Sequence, residues 1–108
     1  MNKLEHLDAC KKLIKKVLKH RRGLIRRNQN RLPDSVEMAR TIAELEFQSA
    51  TIRSFDQMMG WINQQGTRNR VFRLITPNNK AWRDEYDRLV YLGQVLQGKI
   101  VKQLEINL

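Results

Sequence analysis

The sequence predicts an all-α protein, an elongated three-helix bundle or a helical hairpin with an additional helix, completed by dimerisation if one chain leaves apolar surface uncovered. Three observations lead there. Apolar residues recur at three- and four-residue steps through three long stretches. Two short regions rich in Asn, Pro and Gly separate those stretches. A lone amphipathic helix gains little stability in water, so the apolar faces need one another or a second copy.

The first helix is expected from about Asn2 to Gln29. Leu4, Leu7, Cys10, Ile14, Val17, Leu18, Leu24 and Ile25 form its apolar side, with a modest interruption at Gly23. Asn28, Asn30, Pro33 and Asp34 then mark a connection, and Asp34 or Ser35 is placed to cap the next helix.

The second helix shows the clearest period. Met38, Ile42, Leu45, Ser49, Ile52, Asp56 and Met59 follow alternating four- and three-residue steps, the spacing of coiled-coil packing, and Ala39, Ala43, Phe47, Phe55 and Ile62 widen the face. Asp56 interrupts the seam and reads as a solvated edge or a polar contact between subunits, because an unpaired buried carboxylate is costly. Gly60 weakens the helix end, and Gly66 suits a left-handed cap.

A basic junction follows at 67–79. Val71, Phe72, Leu74 and Ile75 support either a short helix or a brief strand, Pro77 closes the element, and Asn78 or Asn79 starts the last helix. That helix is expected to run to about Leu104 on a seam of Trp82, Tyr86, Leu89, Gly93, Leu96, Ile100 and Gln103, widened by Val90, Leu92, Val95, Val101 and Leu104. At 1.5 Å per residue such helices reach about 40 Å.

The charge is uneven. Residues 1–31 hold eleven Lys and Arg against two acids, residues 32–66 two against five, and residues 67–108 eight against four, within a net charge of +10. An acidic middle helix beside basic ones relieves the repulsion, and so does an external polyanion. The 108 residues make one domain. No apolar run approaches the roughly 20 residues that span a bilayer, and the basic start lacks a signal-like apolar block, so the expected location is cytoplasmic with no membrane partner. Cys10 is the single cysteine, which excludes an intrachain disulfide and a thiolate cluster.

Function points to phosphate. Lys12, Lys15, Lys19, Arg22 and Arg26 fall on one helical stripe, with Lys11, Lys16, Arg21, Arg27 and Arg31 at its margins. Such a stripe attracts a nucleic-acid backbone ahead of any sequence reading. Arg68, Arg70 and Arg73 supply a second basic site, where Arg grips phosphate with two donors and Asn69 stands nearby. Gln64, Gln65, Asn69, Asn78 and Asn79 have base-reading chemistry but more commonly satisfy turns. Trp61, Phe72, Trp82, Tyr86 and Tyr91 have the chemistry to stack bases, although core packing is the better assignment for most of them. No helix-turn-helix signature selects DNA over RNA.

Catalysis is not expected, nor any cofactor or metal. His6 and His20 form no nucleophilic or metal-binding spacing with Cys10 or the acids, and each suits a surface or packing position. Asp84, Glu85 and Asp87 are explained by helix-start electrostatics and salt bridges to Arg83 and Arg88. The expected function is a non-catalytic nucleic-acid-binding module. Its competitor is a small regulatory adaptor or inhibitor that docks its basic face on an acidic partner protein, and homodimerisation is compatible with both. A membrane-surface helix is the weaker reading of the same residues.

Overall fold

The computed structural model describes residues 1–28, 35–65 and 79–100, and within them the protein is all-α, a small helical bundle of four helices. The first, α1, spans Lys3–Asn28. Asn2 caps it: its Oδ1 accepts from the Glu5 backbone N–H at 2.8 Å and its Nδ2 donates to Glu5 Oε1 at 2.8 Å. Orphan donors at the helix start are thereby satisfied, and Glu5 adds negative charge at the positive end of the helix dipole. His6, Cys10, Leu13, Ile14, Val17, Leu18 and Ile25 are buried along one side. The helix passes Gly23 without the expected interruption. Leu4, expected on the apolar side, is 76% exposed. At about 100° per residue it falls on the flank of Lys15 and Arg22, away from His6 and Cys10.

The long second helix of the sequence reading is two helices, α2 (Ser35–Thr51) and α3 (Phe55–Gln64). Phase explains the break. Continued straight, the side that α3 buries (Phe55, Met58, Met59, Ile62) would point roughly 120° away from the side that α2 buries (Ile42, Leu45) at about 100° per residue, so the chain must turn to bury both. Polar groups satisfy the exposed ends. Ser54 caps α3, its Oγ accepting from the Gln57 N–H at 3.2 Å, while Gln57 Oε1 accepts from the Arg53 N–H at 2.7 Å. Arg53 Nη1 donates to the Ala50 carbonyl at 2.5 Å, and Lys11 Nζ crosses from α1 to the Ile52 carbonyl at 2.6 Å. Asp56 is exposed in the first turn of α3, which fits a solvated edge as well as a polar contact with a second subunit. Ala43 and Phe47, expected on the packing face, are exposed because they lie on the outer side of α2.

The last described helix, α4, spans Lys80–Leu96 and not the longer segment to Leu104. Asn79 caps its start, Oδ1 accepting from the Trp82 N–H at 3.2 Å. Its end is a Schellman closure: the Gly98 N–H donates to the Val95 carbonyl at 3.0 Å and the Lys99 N–H to the Gln94 carbonyl at 2.9 Å, with Gly98 at φ +77°. A side chain is strained in that left-handed geometry, so Gly98 is where the helix stops. Residues 101–104, expected to continue it, lie outside the described residues, as do Asn30, Pro33, Asp34, Gly66, Pro77 and Asn78.

The other three helices pack on α1. At 1.5 Å per residue α1 is about 39 Å long, whereas α2 and α4 reach only about 26 Å. Near the start of α1 the His6 ring is fully buried, with its Nε2 2.6 Å from the Leu89 carbonyl and its ring edge-on to Phe55 at 5.3 Å. A carbonyl only accepts, so Nε2 carries the proton. Gly93 makes room for this contact, because a Cβ there would lie 3.0 Å from His6 Cε1 and 2.5 Å from Met59 Sδ. A second polar tie joins α2 to α3, where Gln48 Oε1 accepts from Trp61 Nε1 and from Gln65 Nε2, each at 3.0 Å.

Candidate nucleic-acid interface

The period of α1 separates its charge from its core. Buried residues recur at 6, 10, 13, 14, 17, 18 and 25, which leaves Lys12, Lys15, Lys19, Arg22 and Arg26 exposed on the opposite side. The structure therefore brings the first predicted set together on one solvent face. From Lys12 to Arg26 the stripe is about 21 Å long at 1.5 Å per residue. Arg68, Arg70 and Arg73 lie outside the described residues, as do Asn69 and Phe72.

Two stripe cations have ion-pair partners. Lys12 Nζ meets Asp8 Oδ2 at 3.0 Å one turn away, and Arg22 Nε meets Glu46 Oε1 of α2 at 3.0 Å. All four side chains are well solvated, and exposed pairs of this kind are worth about 0–1 kcal/mol, so neither pair holds its cation strongly. Lys15, Lys19 and Arg26 have no acidic partner among the described residues. Lys11, at the margin of the stripe, is committed instead to the Ile52 carbonyl.

The face continues into two grooves. One runs between α1 and α2, walled by Lys11, Lys15, Lys19 and Arg22 on one side and by Glu46, Ser49 and Ala50 on the other. The second lies between α1 and the start of α4, where Lys16, Lys19, Arg26 and Arg27 surround the half-buried Trp82. Sequence reasoning named Trp82 and the cations separately. Their juxtaposition depends on how α4 docks on α1, which no spacing along the chain encodes.

The remaining aromatic residues divide by burial. Trp61 and Tyr86 are core residues, whereas Tyr91 is exposed on α4. The α4 acids behave as an electrostatic cluster in part: Arg88 donates to both carboxylate oxygens of Glu85 at 2.6 and 3.1 Å, and those bonds hold Glu85 below the ordinary carboxylate range.

His6 and Cys10, one turn apart, do meet: Cys10 Sγ lies 3.8 Å from His6 Nδ1 and 3.7 Å from Nε2. Burial pushes the thiol up to about 12, so it stays protonated at neutral pH. A nucleophilic cysteine needs a thiolate and access to substrate, and this one has neither. His20, by contrast, is exposed. Among the described residues no group of three or more His, Cys, Asp or Glu converges on a metal position, and no helix is long and apolar enough to cross a membrane. Compared with protein-family models, curated proteins and solved structures, the chain matches none of them.

Proposed function

We propose that the protein is a non-catalytic nucleic-acid-binding module that holds a phosphate backbone along the outer face of α1. The observation that supports this most is the alignment of Lys12, Lys15, Lys19, Arg22 and Arg26 on the solvent side of a helix whose other side is locked into the core. A rigid row of cations neutralises successive phosphates and releases their counterions, which gives affinity without base reading. Arg68, Arg70 and Arg73 remain part of the proposal as a second phosphate contact.

The test replaces Lys15, Lys19, Arg22 and Arg26 by Gln, a residue that keeps helix propensity. If those four residues each neutralise a phosphate, the slope of log affinity against log salt should flatten by about 3 while helicity is unchanged. Unchanged affinity and slope in a folded variant would count decisively against this face.

A second reading rests on α2. Val36 and Phe47 are 74% and 72% exposed and, with Ala43 and Ala50, form an outer stripe at seven-, four- and three-residue steps. The four residues of the stripe are themselves uncharged, and the charged residues of α2, Arg40, Glu37, Glu44 and Glu46, lie beside them. A second copy of the chain paired through α2 is the partner this stripe suits. Light scattering of the wild type and of Phe47→Glu tests it. A dimer that the substitution dissociates supports the pairing, and a monomer at high concentration rejects it.

A further inference from the structure

Resting on the nucleic-acid reading, we infer that the groove between α1 and α4 seats one unpaired nucleotide of a single strand, with its base on Trp82 and its phosphate among Lys16, Lys19, Arg26 and Arg27. The groove has a volume of about 470 Å³, within the roughly 300–1,000 Å³ of small-molecule clefts. Its walls combine the two chemistries a nucleotide requires. Four cations stand on α1, and an indole that is only partly engaged by the core faces them from α4. Cationic grooves with an aromatic platform hold single strands because every base offers a π-face, and the charges follow the backbone.

Gly23 gives a way to fill the groove without touching its charge or its ring. It lines this groove in the interior of α1, where Gly is about 1 kcal/mol less favourable than Ala. The packing does not call for it, since a Cβ there would meet only Arg27 Nη1, at an ordinary contact distance of 3.7 Å. A side chain longer than a methyl group at this position would enter the groove that Gly23 lines with Lys19, Arg27 and Trp82. Gly93 is the opposite case, a helical glycine that the core demands.

Recession of the ring selects the ligand. A base inside a duplex has both faces covered by its neighbours, so it has no free face to offer a ring set between two helices. An unpaired base is free to turn into the groove while its phosphate meets the cations. The stripe of five outer cations would then carry the flanking phosphates, with Lys19 and Arg26 shared between the two surfaces.

Tryptophan emission reads this directly. Trp61 is buried and bonded to Gln48, so quenching by a stacked base reports on Trp82. The full chain is titrated with a single-stranded oligonucleotide, the matched duplex and a mononucleotide, alongside Trp82→Leu, Trp82→Phe and Gly23→Leu. The expected result is quenching by the single strand alone, with about tenfold weaker binding for Trp82→Leu and partial recovery for Trp82→Phe. Gly23→Leu removes neither charge nor aromatic surface and should fold at least as stably, yet it should also lose the quenching. Equal binding of strand and duplex with unmoved emission would overturn this site and leave the basic-face reading standing. A mononucleotide bound as tightly as the strand would overturn it in favour of a free-nucleotide site, and no binding by any of the three would remove both readings.

Discussion

Gly60 and Gly93 are both helical glycines, and their surroundings give them opposite expected responses to a methyl group. A Cβ at Gly60 meets nothing within 4 Å, so Gly60→Ala should raise stability by about 1 kcal/mol through helix propensity alone. Gly93→Ala gains the same propensity but drives a Cβ against Met59 and the His6 ring, both fully enclosed. Overpacking of that kind typically costs 1–3 kcal/mol, so the net expectation is a loss of about 1 kcal/mol. Urea midpoints for the two variants should move in opposite directions, and a rise in both would show that the junction has slack. Cys10, beside the same histidine, sets an alkaline limit. Its folded pKa is raised from 9.0 to about 12, so the stability it contributes is complete below pH 9 and is lost as pH rises toward 12. The free energy of unfolding measured across that window should fall less steeply for Cys10→Ala than for the wild type.

At the scale of the element, the break between α2 and α3 depends on local caps. Ser54→Ala should lower stability by about 1 kcal/mol, with the lost protection in hydrogen exchange confined to the first turn of α3. Loss spread evenly over all four helices would show that the cap matters only through global stability. The break was legible in principle: Ser54 and Gln57 stand at capping-box spacing, and Phe55, Met58 and Ile62 repeat out of phase with Ile42 and Leu45. The longer heptad through Met38, Ile52 and Met59 masked both signals, because these residues keep one period across the turn. The α1 boundaries and the Asn79 cap follow directly from the chain, since caps and period are local. The end of α4 is local too, at Gly98, but the apolar run beyond it carried the expectation to Leu104. Nothing local announces that His6 reaches Leu89 or that Trp82 stands beside Lys19 and Arg27. Those contacts come from helix docking, which sequence period orients but does not pair.

For the molecule as a whole, the distribution of charge bears on stability. Neighbours three or four residues apart on the α1 stripe are about 5–6 Å from one another, inside the roughly 10 Å Debye length at 0.1 M salt. Their repulsion is therefore felt in dilute buffer. Added salt should raise the melting temperature of the wild type, and the variant with Gln at Lys15, Lys19, Arg22 and Arg26 should melt higher than the wild type at low salt. The two curves should converge toward 1 M, where screening acts over about 3 Å. Equal melting temperatures throughout would mean that the stripe is not strained by its own charge. A higher melting temperature for the Gln variant is the outcome expected if the stripe lowers stability, the trade-off that residues kept for function commonly carry.

The dependence of three helices on α1 also has a kinetic side. The His6 ring meets a carbonyl 83 residues further along the chain, and closing a loop of that size costs roughly 4 kcal/mol beyond a constant term. Arg22 reaches Glu46 of α2 across only 24 residues, a closure about 1 kcal/mol smaller, so α1 and α2 are expected to pair first and α4 to dock last. During synthesis at about 5–20 residues per second, several seconds separate the appearance of α1 from that of α4. Throughout that interval the side of α1 bearing His6, Cys10 and Leu13 has no final cover, which makes the nascent chain, more than the finished one, the form most exposed to aggregation.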